Sequence, residues 1–252
     1  TFIYYFYLLI WMDQEKMYNK LAKYTDLLYS DKDYRKEVNF IFKKIKNHKN
    51  KIIIDVACGS GNHSKIFQKK GYKIYGVDLN KGMLKLAKNN IPKAKLFCQD
   101  MRKLNLKTKG SILICMFNSI NYNFGYKQFK STLKRFYDHL DDKGIVVFDS
   151  LFTKDNWCEG YFSVDKHSSK NLDIARINKS LRNKDVGNVE QTYIIYENKK
   201  KIMFETANKI FLFDKERILK LMEEVGFKAK YYYDFSDSKK KGNVAVFVGV
   251  KE

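Results

Sequence analysis

The octapeptide Ile54-Asp55-Val56-Ala57-Cys58-Gly59-Ser60-Gly61 joins an apolar run, Lys51–Val56, to a helical pattern that starts at Asn62. A short apolar strand that turns through glycines into a helix is the opening unit of an α/β sheet: the glycines let backbone approach a ligand closely, and the helix N-terminus offers free N–H groups. The same rhythm continues outward. Tyr72–Val77 reads as a second strand and Asn80–Asn90 as a helix capped by Asn80. Ala94–Cys98 and Ser111–Met116 read as further strands, Lys127–Leu140 as a helix stopped before Gly144, and Ile145–Asp149 as a fifth strand. Apolar strands alternating with helices predict a parallel sheet covered on both faces. Upstream, Val38, Ile41, Phe42 and Ile45 mark one helical stretch over Tyr18–Lys46.

After Ser150 the rhythm changes. Leu172–Ile177, Glu190–Tyr196 and Ile202–Phe213 are β-type runs separated by the turn stretches Lys184–Asn188 and Asn198–Lys201. They predict an antiparallel insertion over residues 151–213, within a core built from 12–150 and 214–252. Asp214–Val225 returns to helix, and Phe227–Asp234 and Asn243–Val250 close the chain as a hairpin around Ser236–Gly242. Residues 1–11 (TFIYYFYLLIW) form an uncharged run that as a helix spans roughly 16 Å, about half a bilayer core. They are expected to be an upstream extension with Met12 as the natural start, the alternative being the tail of a membrane anchor; no stable membrane insertion is expected.

Composition narrows the function classes. Hydrophobic residues at 44% provide a packed core and argue against overall disorder. The net charge of +21 invites a nucleic-acid reading, but only six of the 49 basic residues are arginines, and flat bidentate recognition of phosphates and bases favours arginine. Lysines scattered through the chain read as a solvated surface. Cys58, Cys98, Cys115 and Cys158 show no CxxC spacing, so neither a zinc site nor a disulfide framework is expected, and reduced thiols suit a cytoplasmic protein.

Three acidic residues give the strand ends their chemistry. Asp78 ends the second strand, where a carboxylate can accept both hydroxyls of a ribose, and Asp100 ends the third, placed for an adenine amino group. A dinucleotide fingerprint requires a third glycine where this chain has Ser64. Asp55, inside the first strand, would repel a pyrophosphate but suits a cofactor carrying an ammonium and a sulfonium. S-adenosylmethionine is the expected cofactor, with S-adenosylhomocysteine as product. His63, in the first turn after the loop, reads as a satisfied histidine before a cofactor ligand, and Asp149 as a strand-end carboxylate or a group that orients an amine.

These residues, with Gly76-Val77-Asp78, Met83-Leu84, Gln99-Asp100-Met101-Arg102 and Gly144–Asp149, resemble the class I S-adenosylmethionine-dependent methyltransferases. Cys115–Tyr122, Asn156–Tyr161 and Val246–Val250 are similar to the branch that includes nucleotide-sugar amine N-methyltransferases. The resemblance implies a Rossmann-like seven-stranded sheet, mostly parallel with its last strand antiparallel, and a β insertion over the active site. It places Asp55, Ala57, Gly59 and Gly61 at the methionine end of the cofactor, Asp78 and Leu79 at the ribose and adenine edge, and Asp100 and Met101 at the adenine. Cys58, Met83 and Met116 complete the cofactor set. Tyr122 matches a Tyr or His near the acceptor nitrogen. Thr25 stands where those enzymes hold a tyrosine, so Tyr24 or Tyr29 is left to compensate, and Tyr29 joins Tyr122 as a catalytic candidate.

The expected activity is methyl transfer to a small-molecule acceptor, foremost an amine, by a chain that could form a homodimer. Two alternatives stand beside it. An RNA methyltransferase would use the basic surface, yet Phe117-Asn118-Ser119-Ile120 lacks the Pro-Pro-aromatic loop of base-amine methylation and the single proline is Pro92. A non-catalytic cofactor-binding protein would explain Thr25.

Overall fold

In the computed structural model residues 14–45, 50–238 and 240–252 are described, with the side chains from 21 onward. The expectations for residues 1–11 lie outside this range. The first helices are α1 (Gln14–Leu28) and α2 (Tyr34–Lys44), followed by strand β1 (Ile52–Val56) and helix α3 (Asn62–Lys69). Next come β2 (Lys73–Asp78), α4 (Lys81–Asn90), β3 (Lys95–Cys98), β4 (Gly110–Cys115), α5 (Tyr126–Asp138) and β5 (Leu140–Ser150). Strands β6 (Phe162–Ser169), β7 (Leu172–Asn183), β8 (Val186–Glu197) and β9 (Lys200–Phe211) precede α6 (Lys215–Val225), β10 (Phe227–Tyr233) and β11 (Ala245–Lys251).

Seven strands form one sheet in the order β10-β11-β5-β4-β1-β2-β3, and β6-β7-β8-β9 form a separate antiparallel sheet. Strand β11 runs antiparallel to both its neighbours, whereas β5, β4, β1, β2 and β3 are mutually parallel. Period-2 alternation sends successive apolar side chains to opposite faces. Ile54, Leu113, Val146 and Phe247 pack under α5 and α6 with Phe129, Leu133, Ile218 and Leu221. Their neighbours Ile53, Ile112, Val147 and Val246 pack under α2, α3 and α4 with Ile41, Phe67 and Ala87. That is the expected Rossmann-like sheet, covered on both sides. A third cluster joins Leu21 and Tyr24 of α1 to Ile174, Tyr193 and Ile195 of the second sheet.

Four sequence expectations need correction. The helical stretch over Tyr18–Lys46 is two helices, because Asp33 accepts the Lys36 N–H at 2.9 Å and starts a new one; Lys46 itself lies outside the described residues. Leu140 belongs to β5 and not to the preceding helix, the strand starting five residues before Ile145 with Lys143 at φ 63°. The turns at 184–188 and 198–201 are shorter than read, since Val186–Asn188 and Lys200–Lys201 already pair in the sheet. Strand β6 went unread altogether. Its apolar Phe162 and Val164 are exposed and its polar Ser163, Asp165 and His167 lie on the covered side, the reverse of the usual pattern.

Candidate active site

Strand order reverses between β1 and β4, and the crevice outside the carboxyl ends of these strands is where open α/β sheets bind ligands. Backbone strain gathers at that point. Ala57 after β1 has φ 56°, and Phe117 and Asn118 after β4 have φ 62° and 61°, all in the left-handed region that side chains disfavour. Gly59, at φ 55°, would project a Cβ into open space, so its lack of a side chain keeps the crevice clear. Gly61 is fixed for a different reason: at φ 86° a Cβ would stand 2.8 Å from Ile91.

The acidic groups are organised by backbone and hydroxyl donors. Asp78 accepts the Gly59 N–H at 2.8 Å on one oxygen and the Asn80 N–H at 2.8 Å on the other. Burial pushes its carboxyl up, and these backbone bonds oppose the shift. The Leu79 backbone N–H also bonds this carboxylate, and of the four lone pairs on its two oxygens the remainder is open to a hydroxyl donor. Asp55 is 2% exposed and accepts from Ser64 Oγ at 2.6 Å. Burial pushes Asp55 up to about 6. Ser64, standing where a dinucleotide site would need glycine, is thus the residue that holds the Asp55 carboxylate.

Across the crevice, burial pushes Asp149 up to about 6 as well, and its Oδ1 accepts the strained Asn118 N–H at 3.3 Å. His63 is a buried, satisfied histidine, bonded to Glu37 at 2.6 Å. Glu37 is also paired with Lys32. Burial raises the Glu37 carboxyl, but His63 and Lys32 outweigh it and hold it below the usual range. Asp26 of α1 accepts from Ser60 Oγ at 2.7 Å and Asn62 Nδ2 at 3.2 Å, tying the N-terminal helix to the glycine loop.

The remaining sequence-derived residues fall in different surroundings. Leu79 is 66% exposed beside Asp78, available as an apolar edge, and Met83 and Met101 are half-buried. Cys58 and Met116 are buried, Met116 in the core under α2–α4. Asp100 is engaged by Arg102, whose Nε lies 2.9 Å from Oδ1 and Nη2 2.5 Å from Oδ2, and this pairing holds its carboxyl low. Tyr122 ends a 3-10 turn, Ser119–Tyr122, and is 45% exposed. Tyr29 sits in the break between α1 and α2, edge-on to Phe117 at 4.7 Å. Tyr24 is committed elsewhere: it is buried and donates to Glu197 at 3.0 Å. Thr25 donates to Leu21 O within its own helix.

Asn121 escaped the reading as a site residue. It is fully buried and donates to Phe152 O and Phe211 O, both at 2.8 Å, clamping the turn after β4 to the entry and exit of the second sheet. A buried amide is invisible to hydropathy, and its only sequence signal was membership of the Cys115–Tyr122 stretch.

Residues 53–144 match the family model of a methyltransferase domain. The chain is 26% identical over 217 residues to the dTDP-3-amino-3,6-dideoxy-α-D-glucopyranose N,N-dimethyltransferase of Streptomyces fradiae, covering 84% of this chain and 85% of that one. The crystal structure of Streptomyces venezuelae DesVI superposes with a TM-score of 0.81 at 26% identity, over 95% of this chain and 99% of that one. The chain is a class I S-adenosylmethionine-dependent methyltransferase. Its cofactor is S-adenosylmethionine. The amino pentose methyltransferase CalS10 of Micromonospora echinaspora, solved with that cofactor bound, shares the fold with a TM-score of 0.78 at 20% identity, over 92% of this chain and 96% of that one. The crevice of this methyltransferase fits such a group: the buried carboxylates of Asp55 and Asp149 would suit its cationic end, and Gly59 leaves a side-chain-free cradle. Among the described residues no helix is long and apolar enough to cross a membrane.

Proposed function

We propose that this methyltransferase N-methylates a small-molecule amine, most simply an amino group on a sugar carried by a nucleotide, in the cytoplasm. The observation that carries the reading is the extent of the likeness. Coverage of 95% of the chain by DesVI cannot omit residues 151–213, the segment that in this reading covers the acceptor. The relative from Streptomyces fradiae is named for dimethylating an amino sugar, and the acidic lining here suits the same kind of acceptor.

Bound S-adenosylmethionine supplies a methyl group on a sulfonium, open to in-line displacement by a nucleophile. The residues of this chain have three tasks. Asp55 and the backbone after β1 hold the cationic end, and Asp78 and Leu79 the ribose and adenine edge. Tyr29, Tyr122 and Asp149 surround the acceptor nitrogen and orient its lone pair, and the proton that the methylated amine releases passes to water. The 151–213 segment excludes bulk water. Positioning of this kind supplies most of the acceleration in methyl transfer.

The test is a methyl-label screen of nucleotide-linked amino sugars, free amino sugars, amino acids and phenols against bulk tRNA and rRNA. Label is expected in an amino-sugar fraction. Label found only in RNA, and diminishing as salt rises, would overturn the reading and make the lysine-rich surface a binding face.

A further inference from the structure

Arg176 lies in the middle of β7, yet it is 5% exposed and points away from the solvent side of its sheet. Its Nε and Nη2 donate to Asp165 Oδ2 of β6 at 2.9 and 2.5 Å, and Nη2 also donates to the Tyr29 hydroxyl at 2.7 Å. The guanidinium lies 4.9 Å from the centre of the Tyr29 ring and 6.0 Å from that of Tyr193. Asp165 is itself held by Asn178 Nδ2 at 2.8 Å, and Asn178 accepts from Gln191 Nε2 at 2.8 Å. A buried arginine is costly unless paired, and here the row of polar groups that pairs it ends on a tyrosine at the mouth of the crevice.

We infer that the Arg176–Asp165 pair of the second sheet positions the Tyr29 hydroxyl for the acceptor, making the sheet a working part of the active site. Tyr29 stands where the covering sheet, the α1–α2 break and the turn after β4 meet: Arg176 grips its oxygen and Phe117 its ring edge. A tyrosine oxygen has two lone pairs and one proton. Arg176 occupies one lone pair, which fixes the rotation of the phenol oxygen's remaining positions. The second lone pair can then accept an N–H of an amine, aiming the amine's own lone pair toward the methyl group. This use rests on the amine reading above. The grip of Arg176 on Tyr29 does not. It also answers the departure at Thr25: the tyrosine missing from α1 is replaced by one four residues on, held by a residue from a different sheet.

The proposal is tested first without any acceptor. In protein labelled at tyrosine Cζ, the resonance lost in Tyr29→Phe identifies Tyr29, and it should shift in Arg176→Lys and in Asp165→Asn. An unshifted resonance in folded variants would overturn the grip. Asp165→Asn, at a half-exposed position, keeps the test decisive if Arg176→Lys fails to fold. With an amine acceptor from the screen, Tyr29→Phe and Arg176→Lys should each lower kcat/KM by about 10- to 100-fold, the scale of a reactant misplaced by an ångström, with cofactor affinity unchanged. The double variant should be no worse than the poorer single one, since both remove one arrangement. Losses that multiply would show that Arg176 acts independently of Tyr29 and overturn its positioning role. A wild type that methylates no amine, with the resonance shifting as expected, would instead break the amine reading and leave the grip standing.

Discussion

The crevice at the ends of β1, β2 and β4 and the covered face of the β6–β9 sheet are built on opposite plans. In the crevice, consecutive residues do the work: Ala57–Gly61 shape a turn, and its N–H groups and those after β2 organise Asp78. On the second sheet the work is done by residues far apart in sequence and brought together by register, Asp165 opposite Arg176 and Asn178 opposite Gln191. The first plan depends on local backbone geometry and the second on pairing across strands. Damage to the crevice should therefore appear as lost cofactor affinity, and damage to the second sheet as lost acceptor turnover or stability.

The largest effect expected is at Asp78. Asp78→Ala removes the carboxylate proposed to accept the ribose hydroxyls and also frees the Gly59 and Asn80 amides, which shape the turn. Binding of S-adenosylmethionine should weaken by about 3 kcal/mol, over a hundredfold in Kd, by calorimetry. Equal affinity in the variant would remove Asp78 from the ribose site.

The next is a pH effect that separates the two regions. Unfolded, an aspartate ionises near 3.9, roughly; folded, Asp55 and Asp149 keep their protons up to about 6 because they are buried. Folding takes up protons between these values, so the contribution of these two groups to stability is greatest below about pH 4. It falls as pH rises to about 6 and is level above. The loss is on the order of 2–3 kcal/mol per group. Asp55→Asn should roughly halve the slope of stability with pH over that window, leaving the Asp149 part, and stabilise the free protein above it, as read by urea denaturation. Cofactor affinity should run the other way, weakening about tenfold per pH unit below 6, if Asp55 holds the cationic end as proposed and loses its charge there. Binding that is flat from pH 5 to 7.5 would break the assignment of Asp55.

Asp100 and Arg102 offer a smaller contrast inside the crevice. Their pair is part-exposed, so Arg102→Ala should cost under about 1 kcal/mol of stability. It also releases the Asp100 carboxylate. If that carboxylate meets the adenine amino group, cofactor affinity should change by no more than about threefold, since the carboxylate remains. A larger loss, read by calorimetry, would assign the adenine contact to Arg102.

The two plans also explain what could be read in advance. The parallel strands, the closing hairpin and the crevice loops were legible because apolar runs, glycines and strand-end acids are local signals. The count of seven strands and the antiparallel last one came only with the family resemblance. Strand β6 was not, because Phe162 at 62% and Val164 at 54% exposure face solvent while Asp165 faces inward. The break at Tyr29 was hidden because Asp33 starts α2 without a proline or glycine to announce it. The Glu37–His63 bond, spanning 26 residues, and the Arg176–Tyr29 bond, spanning 147, leave no pattern in a single sequence.

A last contrast distinguishes the two tyrosines that flank Thr25. From sequence either could serve the acceptor, but they belong to different surroundings. Tyr24 is 4% exposed, packs with Leu21, Ile174, Tyr193 and Ile195, and donates to Glu197 at 3.0 Å. Glu197 is also bonded by Lys23 at 2.9 Å, so removing the Tyr24 hydroxyl leaves no carboxylate stranded. Tyr24→Phe keeps the ring and its packing and gives up one hydrogen bond at the edge of the second sheet. It should cost about 0.5–1.5 kcal/mol in chemical denaturation and leave kcat/KM within about twofold of wild type. Tyr29→Phe should instead lower turnover, at whatever stability is lost by leaving one N–H of the buried Arg176 without its acceptor. If Tyr24→Phe lowers turnover as far as Tyr29→Phe does, the tyrosine bonded to Glu197 reaches the acceptor too. The division between a structural and a working tyrosine on either side of Thr25 would then be lost.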